Sequence, residues 1–282
     1  MSQLLQISDT HFGTERPQAV EALLRLARDL KPDVVVISGD ITQRARRDQF
    51  RAAGHFVERL PESARVIVPG NHDIPLYNLY ARLSQPYAGY RRVFGRDLEP
   101  VWESDDMLVV GLNTTRYYRH KDGEISASQV GRVCAMLAES PESQLRVVVT
   151  HQPMHVIRPT DEANLLHGAE EAAYALVGAG VDVLMGGHIH LPYARPLRER
   201  YPELPRDAWV VQAGTAVSHR LRGDISNSVN TISYDARMRP LNFLSRRWDY
   251  DQANDAFVEA ERRLIDLDRG GVAHHPAEAR SA

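Results

Sequence analysis

Two kinds of apolar pattern alternate along the first part of the chain. Short runs of consecutive aliphatic residues, Leu4-Leu5-Gln6-Ile7, Val34-Val35-Val36-Ile37 and Val66-Ile67-Val68, have the length and composition of strands. The second run is apolar at every position, which places it mid-sheet with both faces covered. Between the runs, apolar residues recur every three or four positions. Val20, Leu23, Leu24, Ala27 and Leu30 share one face of a helix over residues 17–30, stopped at Lys31-Pro32. Residues 48–60 form a second amphipathic helix before Pro61. This β-α-β-α-β alternation predicts a mostly parallel sheet with helices packed on it.

The middle of the chain is less regular. Residues 75–99 hold Tyr77, Tyr80, Tyr87, Tyr90 and several arginines, and read as a cap or substrate wall, with core the better reading for Tyr77 and Tyr80. Residues 101–103 and 107–112, split by Ser104-Asp105-Asp106, form a hairpin. Helices follow at 126–138, capped by Ser126, and at 168–177, with strands at 146–150 and 181–185. Three more strands, at 209–212, 228–234 and 241–246, have no helices between them, so that part of the sheet is expected to be antiparallel. Residues 252–267 read as a closing amphipathic helix and 269–282 as a frayed tail. With no internal repeat and no linker, residues 1–268 are expected to form one domain.

Composition narrows the class. The chain has 282 residues, 43% hydrophobic and 25% charged, which is ordinary for a globular protein and enough for a sizeable core. Its 34 basic and 37 acidic residues leave a net charge of -3, so no broad basic face and no nucleic-acid partner are expected. One cysteine, Cys134, excludes an internal disulfide and suits a reducing compartment. No signal-peptide pattern or membrane-length apolar run is present. The expectation is a cytoplasmic protein with no membrane partner; a homo-oligomer stays open.

The residues that follow the strands bring in chemistry. Asp9 and His11, Asp40, Asn71, His151, and His188 and His190 each sit just after a predicted strand. In open α/β sheets the carboxyl ends of strands form the ligand crevice, so loops far apart in sequence can meet there. A single Asp or His in such a place is usually a turn former. Seven together exceed what one transition-metal ion takes from protein, and suit two ions with a carboxylate between them. Mixed oxygen and imidazole donors favour Mn, Fe or Zn over Ca or a cysteine-bound structural zinc.

In order and rough spacing, Asp9-Thr10-His11, Gly39-Asp40, Gly70-Asn71-His72-Asp73, His151 and Gly187-His188-Ile189-His190 resemble the signature of the calcineurin-like metallophosphoesterase superfamily across residues 4–190. Within it, Gly-Asn-His-Asp, Gly-His-Ile-His-Leu-Pro, and Gly214-Thr215 followed by Ser218-His219-Arg220 are similar to the bacterial class III cyclic-nucleotide phosphodiesterases. Ser/Thr protein phosphatases usually carry Gly-Asn-His-Glu after Arg, so Pro69 and Asp73 point away from them. The resemblance implies an α/β fold, a four-layer α/β/β/α sandwich of two mixed β-sheets flanked by helices; the residues alone do not reach the two-sheet division. It implies that Asp9, His11 and His190 hold one metal ion, Asn71, His151 and His188 a second, and that Asp40 bridges them, with Mn or Fe expected before Zn. The implied activity is hydrolysis of a small phosphodiester, such as a 3',5'-cyclic nucleotide, by a hydroxide bridging two ions, with His72 as proton donor and Asp73 orienting its ring. A phosphomonoesterase or a nucleotide or lipid pyrophosphatase would use the same centre. A non-catalytic scaffold would be expected to have lost ligands that are all present here. Asn113, His219 and Arg220, with Arg222, are the candidates for substrate contact, weighed against plain turn or solvated-loop roles.

Overall fold

A computed structural model describes residues 1–269, so the expected frayed tail lies, past its first residue, outside the described residues. Two six-stranded sheets are present. The first runs, edge to edge, β12 (Ala256–Asp266), β11 (Asn242–Asp251), β10 (Ser228–Tyr234), β1 (Ser2–Ile7), β2 (Val34–Ser38) and β3 (Ala64–Val68). In it β1, β2 and β3 are parallel, and the other pairings are antiparallel. The second runs β4 (Val101–Glu103), β5 (Met107–Gly111), β6 (Leu145–Val149), β7 (Val183–Gly186), β9 (Trp209–Gln212) and β8 (Tyr193–Pro196). Its four central strands are parallel and its two edge strands antiparallel.

The helices are α1 (Pro17–Leu30), α2 (Arg47–Arg59), α3 (Leu79–Ser84), α4 (Ala88–Phe94), α5 (Ala127–Glu139) and α6 (Ala169–Gly178). Side-chain alternation along the strands decides the layers. Leu4, Val34, Val36, Val66 and Val68 point at the second sheet, where they meet Val109, Val147, Val149 and Met185. Their neighbours Leu5, Ile7, Val35, Ile37 and Ile67 point instead at α1 and α2. On the far side, Leu108, Val110, Val148 and Leu184 face α5 and α6. The four layers are therefore helix, sheet, sheet, helix. Each fully buried aliphatic side chain contributes about 1.5–3 kcal/mol, so a charge at Val36, which is wholly buried, would open the contact between the sheets. Local signals agree with this arrangement. Pro17 opens α1, and the Ser126 hydroxyl caps α5 by accepting from the Gln129 N–H at 3.3 Å.

Three expectations change. The helix expected over residues 252–267 is instead β12, a long antiparallel partner of β11. Glu259 and Glu261 reach across to Arg246 and Arg247, at 3.8 and 3.1 Å, so charges that suit a helix are paired between strands. Arg247 pairs with Glu261 but Trp248 with Glu259, which leaves Ala260 as an extra residue. That bulge flips the strand over. Phe257 thus packs on the helical side and Ile265 between the sheets, and the period of two is erased from the sequence. The strand at 209–212 is parallel to β7, not antiparallel, and lies in the second sheet, next to the unforeseen β8. Tyr77 and Tyr80 are not core but 78% and 82% exposed, while Tyr90 is buried and donates to the Ile67 carbonyl at 2.6 Å.

Candidate metal centre

The loops after β1, β2, β3, β6 and β7 meet at one end of the two packed sheets. All seven strand-end residues come together there. His190 Nε2 lies 3.2 Å from Asp9 Oδ1 and 3.1 Å from His11 Nε2. His151 Nε2 lies 3.2 Å from Asp40 Oδ1 and 3.3 Å from Asn71 Oδ1. His11 Nε2 is 3.8 Å from both Asp9 and Asp40. Three sets of donor atoms, on Asp9, His11 and His190, on Asp40, His151 and His188, and on His11, Asp40 and His72, each fall within 4.8 Å of one another.

The backbone here is held out of its easy conformations. Asp9, His11, Asp40, His188 and His190 all have φ between +44° and +72°, and they are five of the eight non-glycine residues with positive φ among those described. Such angles cost about 1–3 kcal/mol each and gather where function over-determines the fold. Hydrogen bonds between the loops hold them. The Asp9 N–H donates to Gly39 O at 3.1 Å, the His11 N–H to Asp40 O at 3.0 Å, and the His188 N–H to Asp9 Oδ2 at 3.0 Å. Two glycines admit this crowding. A Cβ on Gly187 would collide with Ser8 Oγ and Asp9 Oδ2, and one on Gly70 with the Asp40 backbone.

The electrostatics of the cluster follow from its burial and its close-set charges. Burial drives the His11 and His188 rings down to about 3, so both are neutral and carry lone pairs. Each has a buried Nδ1 with no hydrogen-bond partner. Burial also opposes ionisation of Asp9, but His190 and His151 outweigh it and bring its carboxyl to about 2. Asp40 is held well below its ordinary range, its burial overcome by His151 and His72. His151 is raised to about 9, because Asp40 and Asp9 outweigh its burial. Nδ1 of His151 donates to Ser38 O and Nδ1 of His190 to Arg220 O, each at 2.8 Å, which turns both Nε2 atoms inward. Neutral imidazoles, carboxylates and an amide oxygen around a shared Asp40 fit two metal ions.

The cluster floors a cleft of about 550 Å³. His72 and Arg220 stand in its wall. Nδ1 of His72 donates to Gln43 O at 2.8 Å, its Nε2 is 4.0 Å from Asp40 Oδ2, and its ring meets His11 edge-on at 4.9 Å. The Arg220 guanidinium donates to Gln43 Oε1 at 2.9 Å and lies 3.5 Å from His72 Nε2. Arg222 also lines the cleft, pairing with Asp161 at 2.9 Å.

Other expected residues sit elsewhere. Asp73 does not touch the His72 ring. Its buried carboxylate accepts from the Gly70, Ile41 and Thr42 N–H groups at 2.9, 3.1 and 2.8 Å, tying the loop after β3 to the loop after β2. Burial and then Asp40 raise it to about 6. Asn113 closes a turn by accepting from the Thr115 N–H at 3.0 Å, outside the cleft lining. His219 is exposed and also outside that lining. Sequence reasoning passed over Lys121, Asp161 and Asn164, which do line the cleft. They lie well past the ends of β5 and β6, Asp161 and Asn164 in a short helical turn at Pro159–Asn164, so no strand-end signal marks them.

A helix–sheet–sheet–helix sandwich with this cluster at the strand ends is the arrangement of a metallophosphoesterase. The family model for calcineurin-like phosphoesterases matches residues 2–192, and the chain belongs to that family. It is 30% identical over 207 residues to a cAMP/cGMP dual specificity phosphodiesterase of Mycobacterium tuberculosis, a match covering 66% of this chain and 61% of that protein. Against the 3',5'-cyclic adenosine monophosphate phosphodiesterase CpdA of Escherichia coli K12 the identity is 26% over 203 residues, covering 67% of this chain and 69% of the relative. The fold is shared with a dimetal phosphatase from Danio rerio, at a TM-score of 0.63 and 15% identity over 94% of this chain and 98% of that one. A purple acid phosphatase from yellow lupin gives a TM-score of 0.70 at 12% identity, over 94% of this chain and 53% of that one.

Proposed function

We propose that this chain is a two-metal phosphodiesterase acting on a small phosphodiester, with 3',5'-cyclic nucleotides the leading substrates. The observation that carries the reading is the convergence of seven donor residues on one cleft, with His72 at its wall. The names of the mycobacterial and E. coli relatives support a cyclic nucleotide. Asp9, His11 and His190 would hold one ion, Asn71, His151 and His188 the other, and Asp40 both, with Mn or Fe favoured and Zn possible on donor chemistry. When bound, the ions supply charge neutralisation for the phosphate and an acidified water. The protein's own groups do the rest. Arg220 and Lys121 attract and orient the anion from the cleft walls. The Gln43 carbonyl fixes Nδ1–H of His72, so Nε2 is the atom that hands a proton to the leaving oxygen. The single cysteine suits a reducing, cytoplasmic setting.

The test is hydrolysis by chelator-stripped protein with Mn²⁺ restored, comparing bis(p-nitrophenyl) phosphate, p-nitrophenyl phosphate and cyclic AMP. Metal-dependent turnover favouring the diesters is expected. Preference for the monoester would move the assignment to a phosphatase, and metal-loaded protein that turns over none of the three would favour a scaffold. His72→Ala should lower kcat about 10²–10⁴-fold while metal content stays the same. The loss should be larger for cyclic AMP than for a nitrophenyl ester, whose leaving group needs no proton. Equal losses on both substrates would remove His72 as the acid.

A further inference from the structure

Away from the metal cleft, two grooves of about 640 and 450 Å³ run beside α2, α3 and α4. They share Arg47, Gly89 and Arg92, so they form one continuous depression. Five arginines line it, Arg44, Arg46, Arg47, Arg51 and Arg92, against a single acid, Glu58. Among the described residues none of the five has a carboxylate within ion-pair distance. Asp48, next to Arg47 in the chain, leaves the balance basic. The chain as a whole carries -3, so this charge is gathered by the fold rather than spread over the surface.

An apolar crest borders the same depression. Tyr77 lines the second groove, with the Arg44 guanidinium 5.3 Å above its ring and donating to its hydroxyl at 3.0 Å. On the other flank of α3, Leu79, Tyr80 and Leu83 are 67%, 82% and 66% exposed. Buried Arg82 anchors that helix to the Arg119 carbonyl at 2.6 Å, two residues before Lys121 in the lining of the metal cleft. This bond ties α3 to the segment that carries Lys121.

We propose that this face docks on an anionic lipid surface, the arginines meeting headgroup phosphates and the Leu79–Tyr80–Leu83 crest entering the interface. Interfacial binding takes this combination of exposed Leu and aromatic side chains beside a cluster of unpaired basic ones. Single-stranded nucleic acid would use the tyrosines and arginines but has no use for protruding Leu79 and Leu83, which cannot stack on bases. A symmetric second copy would set one arginine groove against another. Among the described residues no helix is long and apolar enough to cross a membrane.

Vesicle sedimentation tests the proposal. The metal-loaded chain is expected to sediment with vesicles of phosphatidylcholine and phosphatidylglycerol in equal parts, and to stay in solution with phosphatidylcholine alone. Raising the salt should release it. Arg46→Ser/Arg47→Ser/Arg51→Ser should weaken binding about fivefold per arginine, roughly a hundredfold in all, with unchanged hydrolysis of a soluble diester. Leu79→Ser/Leu83→Ser should also weaken it, with an unchanged melting temperature. No sedimentation with the anionic vesicles, or binding by both variants equal to that of the wild-type chain, overturns the proposal. So does a single-stranded oligonucleotide that binds more tightly than the vesicles, or a dimer in light scattering that the Leu79/Leu83 variant dissolves. Hydrolysis of the soluble diester is read separately, so failure here leaves the phosphodiesterase reading untouched.

Discussion

His11 and His188 set the acid limb of the metal-free protein's stability. Their rings titrate near 3 when folded, against 6.5 for an ordinary histidine. Between those values the unfolded chain binds more protons, so stability falls as pH drops. Asp73, raised from 3.8 to about 6, works with the opposite sign over that narrower range and offsets one of the two rings. His151, raised to about 9, keeps a proton that the unfolded chain gives up, so its contribution is complete below 6.5 and lost as pH rises towards 9. The cluster's stabilisation of the metal-free fold should therefore peak near pH 6.5. His188→Asn should flatten the acid limb by about 1.4 kcal/mol per pH unit. Melting curves of stripped protein across pH check this, and an acid limb unchanged in the variant would refute it. The identity of the donor residues was legible because each stands next to a strand end, a local signal. Their burial was not, because it is set by loops up to 206 residues away, as between Asp9 and Thr215.

Single elements show where local pattern misleads. Asp73 follows His72 in sequence, yet in the tight turn Asn71–Asp73 neighbouring side chains diverge, and Asp73 faces the loop after β2. It braces that loop. Asp73→Ala leaves three buried N–H groups unpaired, and should destabilise the protein by about 3 kcal/mol. Calorimetry should record the loss together with lower metal content. His72→Ala should keep its metal, so the two variants would separate a brace from the proposed proton donor. Ser126→Ala removes the cap of α5, a cost of about 1 kcal/mol, and should leave metal content and turnover alone. The Ser126 cap could be read from sequence because it rests on residues three apart. The β11–β12 hairpin could not, because its bulge and cross-strand ion pairs depend on a partner strand.

For the whole molecule, metal and fold are coupled. The candidate donors come from five strand ends across both sheets, so ions held there would bind the folded chain and not the unfolded one. Saturating Mn²⁺ at a hundred times its dissociation constant should add about 2.7 kcal/mol per ion, read as a concentration-dependent rise in melting temperature of stripped protein. Asp40→Asn, which weakens the residue set between both donor groups, should abolish most of that rise; a rise equal to wild type would place the ions elsewhere. The sequence by itself determined the alternation of strands and helices in the first half and the seven strand-end residues that the fold gathers, on which the proposed chemistry rests. All of these are carried by spacing and residue type over a few positions. Tertiary structure alone decided the division into two sheets, the place of Trp209–Gln212 beside β7 and the reversal of β12. It also decided the exposure of Tyr77 and Tyr80 and the gathering of five arginines into one groove on a chain of net charge -3. The physical reason is the same throughout: strand pairing, burial and local potential are properties of residues distant in sequence, and a periodic pattern records only which face each residue offers.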